Sequence, residues 1–597
     1  MRKNSPPPSQ LLARFRSSRL ATLLIAAFSV TSITAAAPVV RVSGDITLTE
    51  TTSSGFELTL DKPSGRGTMV LNYAAAPLNL AEFRDLAFKV GNSGDAHLDI
   101  RVLAVNAPNE IWRDSAEGRF LIAPGSDGAM RVMLPRQQLP EDHPFRQRFG
   151  NLYGFPHGFQ RHWRHIEAGA IREVRLHMQW SDAARDESIE ISRPFGAGRF
   201  SVDPAVLDEF PLPLVDTFGQ LRHRDWPGKV YSADELVRDG QRDMALARQV
   251  SMPEHLNRFG GWADGPKMEA TGYFRVEKLN DQWWFVDPEG RLFWSLGVNS
   301  LSMGTNTPVA GREALFPSDW EGPQTRPFWN NLALKFGEEA RLASHVELSL
   351  SRMIDWGLNT IGAWSMRESF EAKRVPYTLI VHTDKEGIGS ISKLPDPYSS
   401  RFRESLRSSL ERLAAEHAEN PWLLGVFIHN ELGWPGGTRL AEEILGGRPN
   451  APARRAAIAL LEETHGSISA LNRAWGSNFS DFNSVRSAVR PIEEAANRAA
   501  YHSDLEAIQT MFTEAYFAYC REMMDEYFPN HLYLGGRFHN NRDYLTEAAS
   551  KFVDVVSVNL YRYTLRGYST RQVVERPYLI GEFHFGVIDH GMWGAGL

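Results

Sequence analysis

From about residue 40 to 205 the hydrophobic positions alternate with polar ones over short segments, at 56–60, 68–72, 86–90, 97–105, 131–134 and 171–179, separated by Gly, Asn, Asp and Pro. Alternation puts every second side chain on one face of an extended chain, so these segments predict strands with one buried face. Strands this short and closely spaced, with few helical stretches among them, predict a β-sandwich. The Pro- and Phe-rich stretch 203–215 then reads as a linker. Beyond it the period changes. Helix-length patterns such as 402–417 and 505–527 alternate with continuously apolar runs at 292–299, 358–364, 376–382, 423–430, 531–537, 553–560 and 577–582. A run without alternation is a strand buried on both faces, and repeated strand-then-helix units give a parallel sheet with helices outside it. The seven runs predict an α/β fold, a (β/α)8 TIM-type barrel preceded by the sandwich. The wide, mostly helical gap between the fourth and fifth runs predicts an insertion. No eighth run follows Glu582, and the fifteen residues after it are rich in Gly. The expectation is a barrel lacking its last strand and helix, in a piece of a longer chain.

The first residues have the layout of an export signal: a basic stretch ending at Arg19, an apolar run at 20–30, then Ala35, Ala36 and Ala37 before Pro38. That run is well short of the ~20 apolar residues a spanning helix needs. The expected domains are a signal segment at 1–37, a sandwich at 38–205 and a barrel at 206–597. The protein is expected to be exported, periplasmic or extracellular, with no stable membrane insertion. The signal segment carries five basic residues and no acid, so losing it takes the net charge from −7 to −12. An acidic chain without a basic run excludes nucleic acid and an anionic membrane surface as partners. A single cysteine, Cys520, forbids an internal disulfide and a thiolate metal cluster. Sixteen Trp, 16 Tyr and 33 Phe lean toward flat ligands such as sugar rings, although most of those rings fill the core.

In a barrel of this type the chemistry sits at the C-terminal ends of the strands, so polar residues that close an apolar run are the candidates. The fourth run ends in His429-Asn430-Glu431 and the seventh in Glu582-Phe583-His584. Two carboxyl groups facing one cavity is what glycosidic bond cleavage requires: one donates a proton to the leaving oxygen, the other attacks the anomeric carbon or activates water. Crowding like charges drives their proton affinities apart and divides the labour. A lone glutamate there is as readily a solvated loop residue. Two on separate strand ends are harder to dismiss. Asn299, Asn359, Trp364, His382, Arg537, His539, Asn559 and Tyr561 also sit in or just past predicted strands. Of these Asn299, Trp364, Arg537 and Tyr561, together with Asn430, Trp434 and His584, are the substrate-binding candidates, with Trp364 and Trp434 as stacking platforms. His157, His162 and His165 lack a persuasive carboxylate partner, and His429 and Glu431 lack further ligands at metal spacing, so no metal and no cofactor is expected. No phosphate loop and no G-x-S-x-G elbow appears at a strand end. Cys520, on a helical pattern, is a packing residue.

Several blocks together resemble the glycoside hydrolase family 50 β-agarases, within the clan of retaining (β/α)8 glycosidases. They are Val215-Asp216-Thr217-Phe218-Gly219-Gln220, Asp225-Trp226-Pro227-Gly228-Lys229, Trp284-Phe285-Val286-Asp287-Pro288-Glu289-Gly290, His429-Asn430-Glu431 and Gly581-Glu582-Phe583-His584-Phe585-Gly586. Asn-Glu alone is shared across the clan; the Glu-Phe-His-Phe-Gly block is more specific. The stretch Ala470-Leu471-Asn472-Arg473-Ala474-Trp475-Gly476 is similar to a segment of the family 42 β-galactosidases. The resemblance implies an acid/base role for Glu431 and a nucleophile role for Glu582. It implies cleavage of β-1,4 galactosidic links in agarose or its oligosaccharides, and a carbohydrate-binding-module-like sandwich. The family continues past the nucleophile through another strand and helix, whereas this chain stops at Leu597. Two rivals stay open: a β-galactosidase or other β-glycanase on the same barrel, and a non-catalytic carbohydrate-binding protein.

Overall fold

The computed structural model describes residues 37–583, apart from 108–113, 151–153, 156–158, 161–164, 185, 321, 384–389, 392–393, 489–495, 540–541, 562–564 and 566–567. The chain divides into two compact units, Met1–Leu207 and Asp208–Leu597.

In the first unit the alternating segments form two antiparallel sheets. Val39–Gly44, Gly65–Asn72, Glu173–Ser181, His97–Val105 and Ser115–Ile122 line up in that order in one sheet. The other carries Phe195–Arg199, Phe83–Asn92, Glu187–Ser192, Gly55–Leu60 and Ile46–Thr51, with Ser126–Met133 paired to Phe83–Asn92. The period-2 pattern explains the packing. Leu58, Leu60, Phe88, Ile189 and Ile191 from one sheet share a core with Met69, Leu71, Ile100, Val102, Leu176 and Met178 from the other.

The second unit opens with a helical and irregular stretch, then a three-stranded antiparallel sheet of Arg275–Leu279, Gln282–Val286 and Leu292–Phe293. Its turn is the Asp-Pro-Glu-Gly block: Asp287 Oδ1 accepts from the backbone N–H groups of Glu289 and Arg291, both at 2.9 Å, and Gly290 supplies a φ of 81°. A parallel sheet follows, made of β1 (Gly297–Val298), β2 (Thr360–Ile361), β3 (Tyr377–Val381), β4 (Leu423–Ile428) and β5 (Leu532–Tyr533), in that order. Two more strands, β6 (Val556–Asn559) and β7 (Tyr578–Glu582), pair with each other in parallel, and a parallel bridge between Phe538 and Val558 joins β6 to the segment after β5. Asn299, just past β1, donates through Nδ2 to the Gly581 carbonyl of β7 at 3.0 Å, so β1 and β7 meet at their C-terminal ends.

All seven apolar runs contain one of these strands, but the expected run 292–299 is two strands, not one. Leu292–Phe293 belongs to the antiparallel sheet and Gly297–Val298 to the parallel one, with exposed Trp294 and Leu296 marking the crossing. The packing of β1 needs Gly297, because a Cβ there would lie 2.1 Å from the Thr360 carbonyl oxygen.

Helices α1 (Arg341–Asp355) and α2 (Ser400–His417) lie between strands in the chain. The gap between β4 and β5 holds α3 (Arg439–Gly446), α4 (Pro452–His465), α5 (Ile468–Trp475), α6 (Phe482–Ser487) and the 30-residue α7 (Arg498–Tyr527). Local chemistry sets their ends. Pro452 opens α4 and left-handed Gly466 closes it; Ser467 caps α5 and Gly476 ends it; Asp481 and Ser484 form a capping box on α6. Helix α7 buries Leu505, Ile508, Phe512, Tyr516, Phe517, Cys520, Met523 and Met524, the repeat of a helix lodged against the sheet. Helix α8 (Asp543–Ser550) follows β5. Among the described residues no helix is long and apolar enough to cross a membrane.

Candidate active site

Strand β4 is buried along its whole length, and the chain leaves it through two left-handed residues, His429 (φ 64°) and Glu431 (φ 50°). Ser300 past β1, Trp364 past β2 and Arg537 past β5 also have positive φ. These five make up half of the ten such non-glycine residues described, all at one end of the parallel strands. Side chains other than glycine adopt that conformation only where surroundings impose it, and such residues gather at functional sites.

The two glutamates meet through a shared partner. Asn559, 5% exposed at the end of β6, donates from Nδ2 to Glu431 Oε1 at 2.9 Å and to Glu582 Oε2 at 3.1 Å, and lies 3.2 Å from Asn430 Oδ1. Arg537 is the second organiser. Its side chain is 1% exposed; Nη2 donates to Glu582 Oε2 at 2.9 Å and Nε to Asn430 Oδ1 at 2.7 Å. The guanidinium carbon lies over the rings of Trp364 and Phe427, 4.8 and 5.1 Å from their centroids. The Arg537 backbone N–H donates to Ser557 Oγ at 2.9 Å. Burial pulls the Arg537 guanidinium down from its ordinary value, opposed by its hydrogen bond to Glu582 and the nearby charges of Glu582 and Glu431. The Tyr561 hydroxyl donates to the other Glu582 oxygen, Oε1. Burial first, then Glu582, raise the tyrosine above its ordinary value, so at neutral pH it keeps the proton that it donates. Gly581 leaves the room this needs: a Cβ there would stand 3.0 Å from Asn559 Oδ1 and 3.1 Å from Arg537 Nη1.

The site thus holds two carboxyl groups, one buried cation, two amides and a phenol, with the 44%-exposed Trp364 ring beside them. Among the described residues no group of three or more His, Cys, Asp or Glu could hold a metal.

The chain is 26% identical to Beta-agarase B of Vibrio sp. (strain JT0107) over 603 residues, covering 88% of this chain and 62% of that protein. It is 26% identical to Beta-agarase A of the same strain over 447 residues, covering 64% of this chain and 44% of the relative. The chain is a relative of the β-agarases. It spans less than two thirds of the length of either curated relative. Its fold is that of a solved exo-β-agarase (TM-score 0.72, 23% identity, 94% of this chain and 88% of that one). A solved agarase shares it too (TM-score 0.69, 21% identity, 93% and 86%). The glycoside hydrolase family 42 model, described as Beta-galactosidase, matches residues 374–583, the stretch that carries β3 to β7 and both glutamates.

Set against the sequence candidates, the structure brings Glu431, Glu582, Asn430, Arg537, Tyr561 and Trp364 together at the strand ends. Asn299 reaches the same end, but both ends of its amide hold backbone, Nδ2 on Gly581 and Oδ1 on the Ala363 N–H at 2.9 Å. Trp434 is a correction. Rather than a platform, its ring is 3% exposed and packs against Tyr516 and Phe517 of α7. The expected stacking platform belongs to the buried core cluster that also holds Tyr516 and Phe517. His584 lies outside the described residues, as do His157 and His162. Asn359 bonds the Gly260 and Trp294 carbonyls and supports a loop instead of a ligand. Sequence reading marked Asn559 as a strand-end residue without its bridging role. It missed Thr383 and Tyr516, which hold His429; nothing in the local sequence of α7 separates Tyr516 from its other buried aromatic residues.

Proposed function

We propose that the chain is an exported retaining glycoside hydrolase that cleaves β-1,4 galactosidic bonds of agarose or agaro-oligosaccharides. The observation that carries this reading is the convergence of Glu431 and Glu582, from two strand ends, on one amide nitrogen of Asn559. Two oxygens 2.9 and 3.1 Å from one nitrogen are at most about 6 Å apart, whereas inverting enzymes hold their carboxyl groups ~6.5–9.5 Å apart and retaining ones ~5–5.5 Å. That bound favours retention. Among the described residues three side chains donate to Glu582 and one to Glu431. This suits Glu582 to be the fixed nucleophile and Glu431 the proton carrier.

In the first step Glu582 attacks the anomeric carbon while Glu431 gives its proton to the departing oxygen. Glu431 then takes a proton from water, whose oxygen attacks the same carbon and releases Glu582. Arg537, Asn559 and Tyr561 hold the carboxylate that leaves in this second step. With Asn430 Oδ1 committed to Arg537 and Asn559, its Nδ2 is the donor left for the sugar's 2-hydroxyl, a bond that strengthens in an oxocarbenium-like transition state. Trp364 offers a face for the sugar ring. The parallel strand order with intervening helices supports a (β/α)8 barrel, and the two-sheet unit is read as carbohydrate-binding-module-like. The names of the two Vibrio relatives favour agarose as the substrate.

Incubating the protein with agarose and neoagarotetraose, with E582Q beside it, and identifying products by mass spectrometry tests this. Neoagaro-oligosaccharides from wild type alone are expected. Turnover of an aryl β-galactoside with neither agarose substrate touched overturns the agarose assignment and supports a β-galactosidase, the reading favoured by the family match over 374–583.

A further inference from the structure

Neighbouring residues of a strand point to opposite faces, yet Asn430 and Glu431 both reach the amide of Asn559. The backbone explains how. Ile428 N–H donates toward the β5 side, to Gly535 O at 3.0 Å, and His429 N–H toward the β3 side, to Val381 O at 2.7 Å. Regular alternation would send Glu431 back toward β3, but its N–H bonds Arg537 O at 3.3 Å on the β5 side. One extra residue is accommodated at the strand end, in the manner of a bulge, and left-handed His429 and Glu431 bracket it.

His429 is 2% exposed and its ring is fixed at both nitrogens. The Thr383 N–H donates to Nε2 at 3.3 Å, with the Thr383 hydroxyl 3.0 Å from the same nitrogen. A backbone N–H can only donate, so Nε2 is the acceptor and Nδ1 carries the proton, 2.6 Å from the Tyr516 oxygen on α7. Phe402 of α2 stacks on both rings. The imidazole therefore ties the residue where the turn begins to the strand β3 exit on one side and to α7 on the other.

We propose that His429 is a positioning residue which, through Thr383 and Tyr516, sets the left-handed turn that aims Glu431 at the leaving-group oxygen. This rests on the reading of Glu431 as the acid. The reaction then depends on the Tyr516 hydroxyl, although that group touches no substrate.

The test uses leaving groups. Proton donation matters for a sugar leaving group and not for dinitrophenolate, so a misaimed acid slows the first and spares the pre-steady-state burst of the second. Y516F and T383V are compared with wild type and E431A on an agaro-oligosaccharide and on the dinitrophenyl glycoside of its galactosyl unit. Both variants are expected to lose about ten- to a hundredfold in kcat on the oligosaccharide, with KM little changed, and to keep the burst rate within about twofold. T383S, which keeps the hydroxyl, is expected to restore turnover. Equal losses on both substrates, or no loss on either, overturn the proposal. If E431A itself fails to show the leaving-group split, the reading of Glu431 falls, and the proposal with it.

Discussion

Replacing Glu582 does two things at once. It removes the proposed nucleophile, and it leaves Arg537, whose side chain is 1% exposed, without its anionic partner. A buried charge stripped of its counterpart is costly. Because the Glu582 side chain is itself 22% exposed, water enters and moderates that cost. E582A is therefore expected to lose turnover and about 1–3 kcal/mol of stability, whereas E582Q loses turnover with a smaller stability change, because its amide oxygen can still accept from Arg537. Chemical denaturation of the two variants beside wild type checks this; equal stability of E582A and wild type would remove Arg537 from the account. At this scale the sequence was informative. A glutamate closing a buried apolar run is conspicuous, and both proposed carboxyl groups were legible that way. What the pattern did not carry was direction. The positive φ values at His429 and Glu431 let Asn430 and Glu431 act on one side, and no periodicity encodes a left-handed residue other than glycine.

The elements behind the site are the helices between β4 and β5. Their packing hinges on one buried carboxylate: Asp504 of α7 accepts from Trp475 Nε1 at 2.6 Å and lies 2.9 Å from His465 Nε2. Trp475 is fully buried and its ring meets Tyr501 edge-on at 4.9 Å. D504A leaves an indole N–H and an imidazole without a partner in the interior, which costs about 1–3 kcal/mol per group. The expected outcome is a lower melting temperature with kcat unchanged, read by calorimetry and steady-state kinetics. A change in kcat of the folded variant would mean that the Asp504 contact, and not Tyr516 alone among the side chains of α7, bears on the reaction. Helical texture here was readable from apolar spacing and from Pro, Ser and Gly at the helix ends. The strands were readable as buried runs but not in extent. The run 292–299 breaks because the chain must pass from an antiparallel sheet to a parallel one, a tertiary demand that a continuous apolar run conceals.

At the scale of the whole molecule, several histidines are buried without a cationic role. Burial lowers His345, His417 and His531 from the ordinary value of 6.5, and near His531 the carbonyls of Ala418 and Leu423 oppose the shift only in part. A base whose folded value is depressed contributes stability in full above the unfolded value. That contribution is lost as pH falls from about 6.5 through the lower folded values, because the unfolded chain takes up protons first. Stability is thus expected to fall between pH 7 and pH 5, with proton uptake on unfolding; calorimetry in buffers of different ionisation enthalpy measures that uptake. Flat stability and no uptake across this range would contradict it. The sequence showed an acidic chain with a β-rich first part and a longer α/β remainder, and the two compact units have those textures. Which histidines are buried depends on partners far apart in the chain, such as His531 with Ala418, and so could not be read from it.

The central claim is that Glu582 forms a covalent bond to the sugar while Glu431 handles the proton. Trapping tests it most directly. A 2-deoxy-2-fluoro glycosyl fluoride of the galactosyl unit slows both steps but keeps a leaving group that needs no acid, so a glycosyl-enzyme accumulates. Peptide mass spectrometry of the inactivated protein is predicted to find the fluorosugar on the peptide containing Glu582, and none after E582Q. An adduct on Glu431, or an unlabelled enzyme that turns over its substrate with inversion, would contradict the account.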